Sequence, residues 1–149
     1  MLKFPAAFFL TMLVAGPVAA ELHTAVEQAL CDAATEESAV PAQIDALVDG
    51  GLVEFAQVGQ IISLRCESDR SMLEVLVQER QAENLEYLVV DMGLDIEQPL
   101  NIGGRQLSVN DYLADQAANG SESVREFASE YLELFAEKDF NPGLWLSMQ

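Results

Sequence analysis

The chain has 149 residues, of which 50% are hydrophobic and 21% are charged, and its formal net charge at pH 7 is −18. This length and apolar content predict one domain with a single hydrophobic core. The negative charge excludes nucleic acid and anionic lipid surfaces as partners, because binding phosphate requires Lys and Arg side chains to displace counterions.

Residues 1–20 have the three parts of a secretory signal peptide. Lys3 supplies the positive charge, residues 8–14 form a short apolar run, and Val18 and Ala20 present the small side chains that signal peptidase recognises. A retained membrane anchor would need about 20 apolar residues, roughly twice the length of this run. We therefore expect this segment to be cleaved.

Cleavage before Glu21 would leave residues 21–149 as one periplasmic or secreted domain without a membrane anchor. That mature chain would carry 6 basic and 25 acidic side chains, a net charge of −19. Such a surface suits a partner protein with a basic contact surface, or a cationic ligand. Solubility, for example in a salty habitat, explains the acidity equally well.

Two cysteines, Cys31 and Cys66, lie in the part of the chain that we expect to be exported. Two thiols in an oxidising compartment permit one internal pairing, which favours a disulfide. On the chain-entropy model, this bond would stabilise the fold by about 3–4 kcal/mol. Two alternatives stay open: a metal site, although these residues and His23 fall short of four zinc ligands, and a catalytic Cys–His pair.

The spacing of apolar residues predicts a series of short helices. Residues 22–37 form the first helix, and residues 41–49 form the second, which ends where two glycines follow. Residues 51–66 are instead rich in β-forming side chains on either side of Gly59. That composition predicts a hairpin-like loop rather than a helix.

The second half of the chain alternates helices with turns. One predicted helix ends at Gln78, and the next covers residues 83–92. Residues 94–106 contain one proline and two adjacent glycines, which indicates an extended loop or turn. Two further helices follow. The expected N-caps, in chain order, are Asp69 or Ser71, Ser108 and Ser121.

Short helix pairs separated by longer extended loops are typical of repeat proteins. The clearest unit covers residues 71–97, SMLEVLVQERQAENLEYLVVDMGLDIE. Residues 73–76 carry the apolar side chains of its first helix, and residues 84–89 carry those of its second helix. Residues 93–96, Gly-Leu-Asp-Ile, follow as the entry to a loop.

A second unit begins at residues 104–107, and Leu107 lies 34 positions after Leu73. This order of helix, polar break, helix, glycine and hairpin loop resembles the ankyrin repeat, whose period is about 33 residues. The resemblance covers about residues 39–135, as two fair units and one poor one. Residues 44–51 resemble the second helix of the poor unit, and the helix that carries Cys31 would be its degenerate partner. No unit has the Thr-Pro-Leu-His start of the family, and another α-helical hairpin repeat stays open as an alternative.

The resemblance implies an all-α fold, a short solenoid of ankyrin-like helix-turn-helix repeats with capping helices and hairpin-like loops. It also implies a binding module whose loop tips and concave face hold a partner protein. Loops on a rigid scaffold commonly carry function. The candidate contact residues, which follow the glycines of the two long loops, are Phe55, Gln57, Gln60, Ile96, Gln98, Asn101 and Arg105.

The sequence predicts no catalytic, cofactor or metal site. It has no nucleophile elbow, no P-loop and no paired-histidine metalloprotease helix. Asp45 and Asp49 lie one helical turn apart, but acid–base chemistry would require one of them to be buried. Asp91, Asp95 and Glu97 lack the register of a calcium loop. We therefore expect a non-enzymatic interaction module.

Two other functions stay open. The chain could be an inhibitor or immunity protein that neutralises a secreted toxin or hydrolase. It could instead be a small-ligand binder or an enzyme on a helical scaffold, which would require a pocket with His23 or a buried carboxylate pair.

Overall fold

The structure is a computed structural model that describes residues 24–54 and 57–136. The expected signal peptide, residues 1–20, and the candidate contact residue Phe55 lie outside the described residues. Within the described ranges, no helix has the length and hydropathy needed to cross a membrane.

The described residues are mostly helical, as the sequence predicts, and they include one antiparallel pair of strands. A 3₁₀ turn, Glu67–Asp69, precedes α4, and a π-helical turn, Tyr87–Asp91, continues α5. The elements in chain order are α1 (Thr24–Ala33), α2 (Ala39–Asp49), α3 (Val58–Ile62), α4 (Met72–Gln78), α5 (Ala82–Glu86), β1 (Leu100–Ile102), β2 (Arg105–Leu107), α6 (Val109–Asn119) and α7 (Glu122–Ala136).

Two serines cap their helices through reciprocal hydrogen bonds. The Ser71 hydroxyl accepts from the Glu74 N–H at 3.2 Å, and the Glu74 carboxylate accepts from the Ser71 N–H at 2.6 Å. Ser108 and Asp111 repeat this arrangement at the start of α6, at 3.0 and 3.3 Å. Each capping box satisfies backbone donors that the first helical turn leaves without an intrahelical partner. Ser71, and not Asp69, is therefore the cap of α4.

The predicted hairpin-like loop at residues 51–66 is wrong, because the chain forms α3 there. Val58, Ile61 and Ile62 recur at helical spacing and are all buried, so packing of one helical face overrides their β propensity. Antiparallel pairing occurs just after α3 instead. An isolated bridge joins Arg65 to Ser71, immediately before α4.

One continuous apolar core contains side chains from all seven helices and from β1. The long segment between α5 and α6 also enters it, because Leu94, Ile96, Leu100 and Ile102 are buried. The sequence predicts an extended loop here, and the structure places a two-strand hairpin at its end. This segment is therefore anchored along much of its length.

A buried amide joins α2 to α5. Asn84 is fully buried, its Oδ1 accepts from the Val40 N–H at 3.1 Å, and its Nδ2 donates to the Glu36 carbonyl at 2.8 Å. The Val40 N–H belongs to the first turn of α2, where Ser38 provides no side-chain cap. Asn84, which is distant in the sequence, thus accepts a hydrogen bond from the Val40 N–H. In other helices an N-cap side chain next to the first turn accepts such a bond.

The predicted Cys31–Cys66 disulfide is present, with the two Cα atoms 5.4 Å apart. It joins α1 to the segment that carries the Arg65–Ser71 bridge, across a sequence separation of 35. The bond therefore connects the first helix to the start of α4. Its main effect is on the unfolded chain, whose loop entropy it reduces.

The three tyrosines of the chain lie at contacts between helices. Tyr87 donates to Asp45 of α2 at 3.2 Å, and Tyr131 of α7 donates to Glu86 of α5 at 2.5 Å.

The pKa values of all three tyrosines are raised. Burial, together with the Asp45 hydrogen bond, raises the pKa of Tyr87 to about 12. Burial and the nearby Glu74 charge raise the pKa of Tyr112 to about 12. Burial and the Glu86 hydrogen bond raise the pKa of Tyr131 above its ordinary value.

We predict that Cys66→Ser lowers the free energy of unfolding by about 3–4 kcal/mol, because the denatured chain regains loop entropy. Urea denaturation of the oxidised wild type and the variant measures this difference. Reduced wild type is the matched control and should unfold at the midpoint of the variant. Equal midpoints for oxidised wild type and variant would contradict the prediction.

We also predict that stability falls as the pH rises above the ordinary tyrosine pKa of 10.0. Between there and the raised values, unfolded tyrosines lose protons that folded tyrosines retain, so ionisation favours the unfolded chain. The free energy of unfolding should therefore be unaffected by tyrosine ionisation below pH 10 and decline through about 12. Tyr131→Phe should make this alkaline decline shallower. Tyrosinate absorbance that titrates near pH 10 in the folded protein would contradict the prediction.

Candidate functional site

An open cleft of about 680 Å³ lies between α3 and the segment that follows α5. Residues 58–60 and Ser63 line one side, and residues 92–95 and 98–101 line the other. We call it the interloop cleft, because it separates the two long segments that the sequence singles out. Its volume is in the range of small-molecule sites.

The α3 side of the cleft follows from the amphipathic pattern of that helix. Val58, Ile61 and Ile62 face the core, which leaves Gln60 exposed on the outer face. A Cβ at Gly59 would lie 3.4 Å from Leu100 Cδ2, so a side chain there would fill space between the two walls. The two sides of the cleft therefore approach each other closely at this position.

The opposite side is shaped by a compact turn. Asp95 Oδ1 accepts from the Glu97 N–H at 3.0 Å, and the Asp95 carbonyl accepts from the Gln98 N–H at 3.2 Å. The Ile96 carbonyl accepts from the Asn110 N–H at 3.2 Å, which attaches the turn to α6. These bonds present Asp95 and Gln98 to solvent while Ile96 enters the core.

The structure brings three predicted contact residues together. Gln60 lies on one side of the cleft, and Gln98 and Asn101 lie on the other. All three are exposed, and their side-chain amides make no hydrogen bond within residues 24–54 and 57–136. Because each amide can both donate and accept, the three can bond the backbone of a bound chain.

The other described candidates do not line the cleft. Gln57 Oε1 accepts from the Glu54 N–H at 2.8 Å, a local bond just before α3. Arg105, on β2, lies 3.9 Å from Asp115 and is not among the residues that line the cleft. Ile96 requires a correction, because it is 4% exposed and belongs to the core rather than to a contact surface.

The sequence does not identify Ser63 and Pro99 as parts of the site. Both line the cleft, but neither has chemistry that distinguishes it from an ordinary turn residue. The sequence does contain a pattern that predicts the burial of Ile96. Leu94 and Ile96 alternate with Asp95 and Glu97, which is the pattern of an extended segment with one face in the core.

The charge of the interloop cleft differs from that of the chain as a whole. Asp95 is the one charged side chain among the residues that line it, while the chain carries a net charge of −18. Depletion of charge at the centre with charge around it is the pattern of a protein contact surface.

The carboxylates and possible metal ligands of the described residues lie apart from one another. Asp45 and Asp49 are both exposed, so they do not form a buried carboxylate pair. Across the described ranges, no group of three or more His, Cys, Asp or Glu side chains is placed to hold a metal ion. His23 lies outside the described residues. Two smaller clefts, of about 320 and 70 Å³, border the disulfide and contain both of its cysteines.

Amide groups from two separated segments thus meet in one open, nearly uncharged cleft. Such a cleft can recognise a polypeptide by its backbone, with little selection for charge at its centre. Comparisons with protein-family models, with curated proteins and with solved structures found no match to this chain.

Proposed function

We propose that this protein is an exported, non-enzymatic interaction module that binds a partner protein in the interloop cleft. The observation that carries the proposal is the convergence of Gln60, Gln98 and Asn101, which come from two segments far apart in sequence. Their amides have no described side-chain partner and face open space, so a bound chain can use them.

The charge distribution supports a partner with basic residues around its contact centre. The net charge of −18 attracts such a partner over long range and raises its association rate. The uncharged centre then determines how slowly it dissociates. Higher salt should accordingly slow association and change dissociation little.

Two units of the fold support an ankyrin-like arrangement of helix pairs. In each unit, short antiparallel pairing precedes a Ser-capped helix, and a second helix follows. Ser71 and Ser108 are the N-caps of the first helices of these units. We propose that they stack as repeats do, which projects their connecting segments to one side. The interloop cleft then occupies the loop side of a short solenoid.

The disulfide supports export, because such bonds persist in oxidising compartments. We propose a periplasmic or secreted location, where an inhibitor of a toxin or hydrolase would use the same cleft. In that variant of the proposal, the partner is itself an enzyme and the cleft binds one of its loops.

We predict that protein isolated from its native compartment begins at Glu21. The reason is the three-part signal in residues 1–20, with small side chains at the cleavage site. Intact-mass measurement of the exported fraction tests this directly. A species that retains Met1 in that fraction would contradict the prediction.

We predict that the double substitution Gln60→Ala and Gln98→Ala weakens partner binding by roughly tenfold. Two hydrogen bonds of about 0.5–1.5 kcal/mol each are lost, and about 1.4 kcal/mol corresponds to tenfold. The partner is first captured from an extract of exported proteins on immobilised wild type, identified, and purified for Kd measurement.

The matched control is Gln28→Ala with Gln106→Ala, which removes two exposed amides outside the cleft. It should leave Kd nearly unchanged. Equal Kd values for wild type and the cleft variant, or an equal loss in the control, would show that the partner binds elsewhere. Ile96 is unsuitable for this test, because its truncation would disturb the core.

A further inference from the structure

The hairpin that borders the interloop cleft leaves one strand edge open. Gly103 and Gly104 form its two-residue turn, with φ values of +58° and +80°, which glycine adopts without strain. Ile102 pairs with Arg105 beside the turn, and Asn101 pairs with Gln106 one step further. In such a hairpin the pair beside the turn exchanges both backbone hydrogen bonds, and the next pair exchanges none.

The backbone N–H and C=O of Asn101 therefore point away from β2. The sheet has two strands, and within the described residues Asn101 makes no backbone hydrogen bond outside the hairpin. Pro99, Leu100 and Asn101 line the cleft, so this open edge borders it. An unpaired strand edge is a template for another extended chain.

We propose that the interloop cleft binds an extended segment of the partner as a third strand, which pairs with Asn101 of β1. The inference rests on the proposed function and specifies the shape of the bound segment. A helix could not satisfy the Asn101 edge, because its backbone groups are already paired internally. An added strand supplies both a donor and an acceptor at the required spacing.

The chemistry of the cleft defines the bound segment further. Gln60 lies across the cleft from β1, where its amide can bond the outer edge of the added strand. Asp95 is the one charged side chain of the lining, which favours Lys or Arg beside the segment. A second copy of this chain is a poor occupant, because two molecules that each carry a net charge of −18 repel each other.

The test uses the mature protein and random linear peptides displayed on phage. A selected peptide is synthesised, and its Kd is measured for wild type, Asn101→Pro and Gln106→Pro. Each proline removes one outward N–H, from opposite edges of the same hairpin, and proline is tolerated at strand edges. Because Asn101→Pro also removes the Asn101 side-chain amide, its Kd is compared with that of Asn101→Ala. We expect the proline to weaken binding about tenfold relative to this alanine variant, and Gln106→Pro to leave binding nearly unchanged.

A second measurement on wild-type protein keeps the test decisive if Asn101→Pro fails to fold. The selected peptide is N-methylated at one position at a time, which blocks one backbone donor without changing the side chains. Strand pairing predicts that methylation weakens binding at alternate positions only, because successive N–H groups point to opposite edges. The amide proton of Asn101 should also become protected from exchange when the peptide binds.

Equal effects of the two prolines, or methylation effects without alternation, would overturn strand pairing. The proposed function would survive that result if Gln60→Ala with Gln98→Ala still weakened the peptide. If the loss of these amides also left peptide binding unchanged, the result would contradict both strand pairing and the proposed function. If no peptide is selected, strand pairing is wrong. The binding of a captured partner protein to wild type and to the cleft variant then still tests whether the cleft is the binding site.

Discussion

Burial of four apolar side chains, Leu94, Ile96, Leu100 and Ile102, holds the segment between α5 and α6 against the core. Their exposed fractions are 1%, 4%, 8% and 1%, so the segment cannot leave the surface without exposing all of them. Burial of one such side chain is worth about 1.5–3 kcal/mol, and opening the segment would therefore cost several kcal/mol. The interloop cleft is consequently a preformed feature, and a partner need not order it on binding.

The features of the fold that the sequence predicts correctly are those that depend on the identity and spacing of a few residues. Ser71 and Ser108 lie three positions before an acidic residue, and both form capping boxes as that spacing requires. The cysteine pairing follows because the chain has two thiols. Residues 58–62 were predicted incorrectly because their composition favours strands, whereas the core selects a helix with Val58, Ile61 and Ile62 on one face. That choice depends on tertiary packing, which β propensity does not encode.

The site was predictable to the extent that its residues follow glycines in long connecting segments. Gln60, Gln98 and Asn101 do meet, but the same reasoning also selected Ile96, which is buried, and Arg105, which lies elsewhere. Proximity to a glycine indicates a turn but not which side chain faces outward. The role of Asn84 was not predictable, because its partners on Glu36 and Val40 lie more than 40 positions earlier in the chain. Long-range hydrogen bonds of this kind have no local sequence signal.

Native-state hydrogen exchange of the backbone amides is the most direct test of a preformed cleft with an open strand edge. Ile102 has a hydrogen-bonded amide in the hairpin, and Asn101, its neighbour, has an amide that points outward. We expect the Ile102 amide to exchange only through large-scale unfolding, like that of Leu76 in α4, and the Asn101 amide to exchange rapidly. An Ile102 amide that exchanges as rapidly as that of Asn101 would show that the segment detaches locally, which would contradict a preformed cleft.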